Sequence, residues 1–299
     1  MKDQTATTTA SSKYLPIFLF IILSLIWGSS FILIKRGLEV YSAGQVGALR
    51  VVFSFFVLLP WAIPSLAKIP RDKLGYVALT GFMGNLIPAF LFAKAETSLA
   101  SSIAGVLNGL TPLFAFLIGI FVFKTAWKKE QLLGLIIGFV GTLGLSFVQA
   151  EGALGGMNSY ALLVVLATIC YGTNANLLKV KLGKIAPLPL TAVAMLFIGP
   201  FALIYLFTTD FWTVVGSTPA SWHALGYLAI LGILGTAIAL VLFNILIQIT
   251  STVFATAVTY VIPVIAVFWG LFDGEQLFPL HYVGMIFILL GVYMVNKWK

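Results

Sequence analysis

Long apolar runs alternate along the chain with short polar or charged stretches. Because the hydrocarbon core of a bilayer is about 30 Å thick, a helix needs roughly 20 apolar residues to cross it. Dividing the chain at its charged residues and its Pro/Gly clusters gives ten such runs. The pattern therefore predicts an all-α polytopic membrane protein with ten transmembrane helices, at residues 15–34, 43–63, 74–92, 101–123, 131–148, 160–178, 188–207, 223–245, 253–272 and 279–295.

The stretch before the first run is polar and rich in Thr and Ser, which predicts a disordered tail over residues 1–14. The run that begins at Leu15 is too long for the apolar part of a signal peptide, and no cleavage site of small residues follows it. We therefore interpret it as the first membrane span and expect no processing. The rest of the chain divides into a first five-helix half (15–149), a connecting loop (150–158) and a second five-helix half (159–299).

Lysine and arginine are distributed unevenly among the predicted loops. In membrane proteins, short loops that carry an excess of these residues face the cytoplasm. With ten spans, the side that does not hold the termini receives only Lys35, Arg36, Arg50 and Lys94. The other side receives Lys2, Lys13, Lys68, Arg71, Lys73, Lys124, Lys128, Lys129, Lys179, Lys181, Lys184, Lys297 and Lys299. We therefore predict that both termini are cytoplasmic.

A sequence repeat relates the two halves. The stretch Trp27–Lys35 reappears as Tyr171–Lys179, with an aromatic residue before Gly, a following hydroxyl and a closing Lys in register. Nearly the same chain offset pairs Gly81 with Gly232, Gly84 with Gly235, Phe92 with Phe243, Pro112 with Pro263, Gly119 with Gly270 and Gly141 with Gly291. Because five is an odd number of spans, the second half must be inverted relative to the first. Inverted repeats are typical of secondary transporters, which bind their substrate near the membrane midplane between the halves.

Composition agrees with a membrane location and argues against nucleic-acid binding. The chain is 61% hydrophobic and only 9% charged, whereas soluble domains are roughly a quarter charged. The net charge of +8 does not indicate a nucleic-acid partner, because the basic residues lie at the ends of the spans and form no tract with interleaved aromatics. Cys170 is the one cysteine of the sequence, so no internal disulfide can form.

Other functional classes lack the residues that they need. The sequence has no GxxxxGK[ST] loop to hold the phosphates of ATP, which argues against an ATP-driven pump. His223 and His281 are far apart, and no His/Asp/Glu cluster within the spans offers metal ligands or acid–base partners. We therefore expect no enzyme activity, no metal and no cofactor. A channel or a lipid scramblase stays open as the alternative to a transporter.

Short motifs occur in a fixed order along the chain. They are Trp27-Gly28-Ser29-Ser30-Phe31 in the first span, Leu49-Arg50 in the second, Thr111-Pro112-Leu113-Phe114-Ala115 in the fourth, Ile262-Pro263-Val264 in the ninth, and Phe272-Asp273-Gly274-Glu275 before the last. Their order, spacing and duplication resemble the EamA-like family of the drug/metabolite transporter (DMT) superfamily. The resemblance covers nearly the whole chain, in two copies.

The resemblance implies a ten-helix exporter of metabolites or amino acids in the cell inner (plasma) membrane. It also implies a central cavity between the halves, walled chiefly by helices 1, 3, 4, 6, 8 and 9. The chain departs from the family pattern after the fourth span, where Phe123-Lys124-Thr125 replaces a Gly-Glu pair. A gating role of that acidic residue is therefore not carried over to the first half.

Polar and aromatic side chains inside the spans are the candidates for a binding site, because a polar group in the membrane costs free energy unless it has a partner. Asn85, Pro88 and Phe92 fall on one face of the third helix. Asn108 and Thr111 share a face of the fourth. In the first and sixth spans, the repeat gives equivalent places to two aromatic residues and to the polar residues that follow them.

The predicted substrate-binding residues are Trp27, Ser30, Asn85, Phe92, Asn108, Thr111, Tyr171, Asn174, Thr236 and Tyr260. For the polar residues the alternative is hydrogen bonding between helices. For the aromatic residues the alternative is anchoring at the membrane interface. An aromatic and amide lining indicates a neutral or aromatic amino acid, or another small amphipathic metabolite. Phosphate recognition would instead need several inward cations.

Two further features leave alternatives open. Arg50 lies inside the second span, where it either holds an anionic group or extends outward to the interface, and we favour the second interpretation. The fifth span carries a series of glycines that predicts close helix packing, at Gly134, Gly138, Gly141 and Gly144. That surface joins either the fifth and tenth helices or two protomers, so both a monomer and a homodimer are retained.

Overall fold

The computed structural model describes the backbone of residues 6–99, 101–149, 159–272 and 279–297. The predicted connecting loop, and Asp273, Gly274 and Glu275 of the motif before the last span, lie outside these residues. Within them the chain is helical and contains no strand. Its helices are α1 (Ala6–Gly28), α2 (Ser30–Leu38), α3 (Ala43–Leu66), α4 (Leu74–Gly81), α5 (Ile87–Ala95), α6 (Ser101–Asn108), α7 (Thr111–Phe121), α8 (Lys129–Gln149), α9 (Tyr160–Val180), α10 (Pro187–Phe207), α11 (Phe211–Val214), α12 (Pro219–Gly232), α13 (Ala239–Ile249), α14 (Thr252–Thr256), α15 (Val258–Phe272) and α16 (Pro279–Lys297).

Two π-helical turns, Phe82–Leu86 and Ile233–Ile238, join α4 to α5 and α12 to α13. They occupy equivalent places in the sequence repeat, since Gly84 and Gly235 lie inside them. At the N-terminal end, α1 begins at Ala6, so helical backbone extends into the segment that the sequence predicts as a disordered tail.

Six helical segments of the described chain are long and apolar enough to cross a membrane, namely Tyr14–Leu38, Ala43–Leu66, Arg71–Ala95, Tyr160–Val180, Pro187–Phe207 and Pro219–Ile249. They coincide with the first, second, third, sixth, seventh and eighth predicted spans. The other four predicted positions hold α6 with α7, α8, α14 with α15, and α16. The all-α membrane fold is therefore confirmed, whereas the count of ten spans and their inverted arrangement stay predictions.

Large apolar side chains cover the outside of the helices. Ile63 is 67% exposed, Leu289 is 60% exposed and Phe201 is 57% exposed. A soluble monomer rarely exposes apolar patches of this kind, because their contact with water is unfavourable. The exposed faces are suited to contact with lipid.

Equivalent helices of the two halves make equivalent contacts. The second helix of each half packs on the other across the molecule, as α3 on α10, and the fifth helices do the same, as α8 on α16. The first span contacts α13 and α15, and its counterpart α9 contacts α5 and α7. The glycines follow the same rule: the missing Cβ of Gly81 would lie 2.7 Å from the Ala194 carbonyl oxygen, and that of Gly232 would lie 2.9 Å from the Arg50 carbonyl oxygen.

The predicted glycine surface of α8 faces α16 within the same chain. A Cβ added at Gly291 would lie 2.5 Å from the Gly138 nitrogen and 2.7 Å from the Gly134 oxygen, and one added at Gly141 would lie 2.8 Å from the Gly284 oxygen. These neighbours are backbone atoms, so the two helices touch along their main chains. Of the two predicted uses of this surface, the structure displays the contact between helices of one chain.

Lys179, near the end of α9, holds the end of α13. Its Nζ donates to the carbonyl oxygens of Ile247 (3.0 Å), Gln248 (3.1 Å) and Thr250. The last carbonyls of a helix have no partner within that helix, and a cation there also interacts favourably with the helix dipole. The repeat counterpart Lys35 is exposed and makes no such contact with described residues. The two equivalent lysines of the repeat therefore differ in their contacts although the sequences around them are related.

Candidate functional site

A cavity of about 90 Å³ lies between the two halves, which is room for on the order of six water molecules. Helices of both halves contribute to its wall. The lining residues are Trp27, Ser30, Phe31, Ile34, Arg50, Gly84, Asn85, Phe92, Asn108, Thr111, Tyr171, Asn174, Leu240, Phe243, Thr256, Thr259 and Ile262. Eight of the ten predicted site residues are brought together here, and Thr236 and Tyr260 are not among the lining residues.

The helices that line the cavity are interrupted beside it. The first span breaks at Ser29 between α1 and α2, and the ninth breaks at Ala257 between α14 and α15. A π-helical turn carries Gly84 and Asn85 to the cavity wall. Such turns add a residue to the helical repeat and are frequent at functional sites. Interrupted helices therefore place backbone and small polar groups where a regular helix would present one continuous face.

Two aromatic pairs line the cavity at equivalent positions of the repeat. Trp27 packs against Phe243 with ring centroids 5.4 Å apart. Tyr171 stacks on Phe92 with centroids 6.0 Å apart and an interplanar angle of 26°. The Trp27 indole Nε1 donates to the Gly235 carbonyl oxygen at 3.1 Å, so its ring is fixed by the second π-helical turn. Each pair joins the first span of one half to the third span of the other.

The amide side chains of the wall are buried but only partly paired. Asn108 Oδ1 accepts a hydrogen bond from the Thr111 hydroxyl at 3.2 Å. Asn174 lies against Gly84, because a Cβ on that glycine would be 2.4 Å from Asn174 Nδ2. Asn174 Oδ1 is buried and has no hydrogen-bond partner in the described part of the chain. Burying such an acceptor without a partner is costly, so an unpaired acceptor at the cavity wall is suited to a ligand.

Three hydroxyl groups of the wall donate their hydrogens to the backbone. Ser30 donates to the Ile26 carbonyl at 3.0 Å, Thr256 to the Thr252 carbonyl at 2.9 Å, and Thr259 to the Thr256 carbonyl at 3.0 Å. A hydroxyl has one hydrogen to donate and two lone pairs. These side chains therefore present acceptors, rather than donors, to the cavity.

Arg50 lines the cavity instead of extending outward as the favoured interpretation had it. Its Nε donates to Thr236 Oγ1 at 2.7 Å, and the Thr236 hydroxyl donates in turn to the Leu231 carbonyl at 3.1 Å. The physical reason is the interruption between α12 and α13, which provides a buried hydroxyl within reach of the guanidinium. Thr236 therefore fixes the position of Arg50 through this hydrogen bond and does not line the cavity itself.

Tyr260, the other predicted residue outside the cavity, joins α15 to α8. It is completely buried, and its hydroxyl donates to the Leu135 carbonyl at 2.9 Å. Its ring lies against Gly138, whose missing Cβ would be 3.0 Å from the ring carbons. Tyr260 lies on the side of its helix that faces α8, and the interhelical hydrogen bond predicted as the alternative is the contact observed.

Several cavity residues were missing from the predicted set, and the repeat could have identified three of them. Phe243 is the counterpart of Phe92, Thr259 stands at the position equivalent to Asn108, and Ile262 stands at the position equivalent to Thr111. Extending each first-half candidate to its second-half counterpart would have found all three. For Thr256 no such signal exists, because the equivalent position is Gly105.

Replacing Thr236 with valine is expected to lower the free energy of unfolding by about 1 to 2 kcal/mol, because the Nε of the half-buried Arg50 loses its acceptor. Thr80→Val is the matched control, since the Thr80 hydroxyl is buried without a hydrogen-bond partner among the described residues. That change is expected to leave stability unchanged or higher. Thermal unfolding of the two detergent-solubilised variants measures the difference, and equal unfolding temperatures would contradict the assigned role of Thr236.

Known proteins resemble this chain along most of its length. The model of the EamA-like transporter family matches residues 14–147 and 158–297. The uncharacterized inner membrane transporter YedA of Escherichia coli (strain K12) is 27% identical over 295 residues, which cover 96% of this chain and 92% of the relative.

The names of two further relatives mention a transported compound. The S-adenosylmethionine/S-adenosylhomocysteine transporter of Chlamydia trachomatis serovar D is 28% identical, over 93% of this chain and 88% of the relative. The "Probable terminal-alkyne amino-acid exporter" of Streptantibioticus cattleyicolor is 25% identical, over 91% of this chain and 90% of the relative. Because the family model matches both halves of the chain, this membrane protein belongs to the EamA-like transporter family.

Proposed function

We propose that this protein is a secondary transporter that exports a small metabolite, such as a neutral or aromatic amino acid, by alternating access through the cavity between its halves. The observation that carries the proposal is the cavity itself, with two aromatic pairs at its wall, each of which joins one half of the repeat to the other. A binding site between related halves is a feature of secondary transporters. The wall combines apolar rings with a few polar groups, as sites for small amphipathic ligands do.

The architecture in this proposal is ten helices in two inverted halves, with both termini in the cytoplasm. Its support is the equivalent packing of α3 on α10 and of α8 on α16, together with the odd number of predicted spans in each half. The orientation rests on the uneven distribution of lysine and arginine among the loops. The inner membrane is the location given in the name of the relative YedA.

Alternating access requires that the two ends of the pathway close in turn. Lys179 joins the end of α9 to the end of α13, whereas its counterpart Lys35 is exposed. A difference between equivalent ends is expected of a repeat protein that is closed at one end. In the proposed orientation the closed end is the cytoplasmic one.

The cavity lining favours an amino acid over a multiply charged phosphate compound. Its described residues include one cation, Arg50, and several aromatic rings. The names of two relatives, an exporter of an alkyne amino acid and a transporter of S-adenosylmethionine, agree with cargo that carries an amino-acid group. A channel or a scramblase remains the competing class, and it differs in its kinetics.

The test is transport by the full-length protein in liposomes, with a panel of radiolabelled neutral and aromatic amino acids. We expect uptake that saturates with concentration and that unlabelled substrate inhibits. Trp27→Ala is expected to lower the rate about tenfold, because it removes an aromatic wall and the hydrogen bond to Gly235. Asn85→Ala is expected to act in the same direction. Trp61→Ala is the matched control, since that ring is 48% exposed on the outside of α3.

The concentration dependence of the flux distinguishes a transporter from a channel or a scramblase. Flux that rises linearly with concentration and shows no competition would indicate a channel or scramblase and refute the transporter. Saturable flux that is unchanged in both the Trp27→Ala and the Asn85→Ala protein would refute the cavity as the binding site.

A further inference from the structure

The cavity has an unbalanced charge. Arg50 is the one charged residue among the described residues that line it, and no described carboxylate lines the wall. A cation in the interior of a membrane protein is costly unless an anion or other partner balances it, and such residues commonly lie on substrate pathways. The site is therefore suited to a ligand that brings a negative charge.

The guanidinium of Arg50 is held in a way that leaves its outer edge available. Its Nε is used by Thr236 at 2.7 Å, which fixes the plane of the group. Within the residues that the structure describes, its two terminal NH2 groups make no hydrogen bond or ion pair with the protein. A guanidinium edge with two parallel N–H donors matches the two oxygens of a carboxylate.

A second group of atoms in the same wall consists of oxygens that are available to accept hydrogen bonds. Asn174 Oδ1 is buried without a partner in the described residues, and the oxygens of Ser30, Thr256 and Thr259 have already used their hydrogens on the backbone. Each of these oxygens can only accept. An ammonium group has three donors and no acceptor, so it is complementary to such a surface.

We propose that the cavity binds its substrate as a zwitterion, with the substrate carboxylate on the Arg50 guanidinium and the substrate ammonium on Asn174 Oδ1 and the nearby hydroxyl oxygens. The aromatic pairs Trp27–Phe243 and Tyr171–Phe92 then contact the side chain of the amino acid. The proposal rests on the proposed function and adds the residues that select the substrate. It makes Arg50 the residue that distinguishes a free amino acid from its uncharged-carboxyl derivatives.

The test compares three probes that share one side chain: L-phenylalanine, its primary amide, and 3-phenylpropanoate, which lacks the ammonium. Each is titrated into the purified full-length protein in nanodiscs. The native protein is expected to bind L-phenylalanine about tenfold or more tightly than either analogue, because each analogue leaves one charged contact unmade. Arg50→Gln is expected to lose the preference for L-phenylalanine over the amide while retaining the preference that depends on the ammonium.

Two further variants, Arg50→Lys and Arg71→Gln, serve as controls for the binding measurements. Arg50→Lys keeps a cation but loses the two parallel donors, and we expect it to recover part of the preference. Arg71→Gln changes an exposed arginine far from the cavity and is expected to bind all three probes as the native protein does. Thermal unfolding of each variant shows whether it is folded.

The result that would overturn the proposal is a folded Arg50→Gln protein that still prefers L-phenylalanine over its amide as strongly as the native protein does. Saturable amino-acid flux in that variant would leave the proposed function standing while removing the zwitterion assignment. If the native protein neither binds L-phenylalanine nor transports any amino acid of the panel, both the amino-acid substrate and the zwitterion assignment fall.

Discussion

A protein in which methionine replaces Lys179 is expected to lose about 3 kcal/mol of its free energy of unfolding. The ammonium of Lys179 holds three backbone carbonyls at the end of α13, and hydrogen bonds to a charged group contribute more than neutral ones do. Methionine fills much of the same volume but leaves those carbonyls without a donor. Thermal unfolding in detergent measures the loss.

Lys35→Met is the matched control, because Lys35 stands at the equivalent position of the repeat but is exposed. We expect its unfolding temperature to stay within the error of the native value. Equal losses in the two variants would mean that the contacts of Lys179 contribute nothing specific to stability.

The second large effect is expected at Gly291, where alanine should destabilise the protein by about 3 kcal/mol. The added methyl would lie 2.5 Å from the Gly138 nitrogen and 2.6 Å from its Cα. Those are backbone atoms of α8, so no side chain can turn aside and the two helices must separate, and overpacking of this kind is destabilising. The expected consequence is a lower unfolding temperature together with weaker packing of α16 on α8.

Gly226→Ala provides the comparison, because a Cβ added there meets no atom within 4 Å. Alanine is the better helix former, so that change is expected to be neutral or slightly stabilising. A Gly291→Ala protein as stable as the Gly226→Ala protein would show that α8 and α16 are not packed as closely as described.

The positions of the long helices could be predicted from hydrophobicity because a membrane span has a fixed minimum length. The second span, predicted at 43–63, is the helix Ala43–Leu66, and the seventh, predicted at 188–207, is the helix Pro187–Phe207. The interruptions could not be predicted in this way. The π-helical turn Phe82–Leu86 and the break at Ser29 lie within apolar runs, so the hydropathy pattern does not change there.

Eight of the seventeen described residues that line the cavity could be predicted, because polar and paired aromatic residues are rare in apolar spans. Polarity alone does not say which side of a helix faces the cavity. Thr236 and Tyr260 have the same kind of signal as Asn85 and Tyr171, yet one holds Arg50 and the other bonds to the Leu135 carbonyl. The rotation of each helix about its axis depends on the neighbouring helices. It cannot be predicted from the sequence of that helix alone.

Arg50 is charged and its counterpart in the second half is not, and this difference affects how the two halves hold a substrate. Ala194 takes the equivalent place in the second half, since its carbonyl faces Gly81 as the Arg50 carbonyl faces Gly232. The backbone packing is repeated in the two halves, but the charge at this position is not. In the proposed binding mode the substrate carboxylate is on Arg50 of the first half, and its ammonium is on Asn174, Thr256 and Thr259 of the second half. The two charges of one substrate molecule would therefore connect the two halves, and the substrate would bind in one fixed orientation.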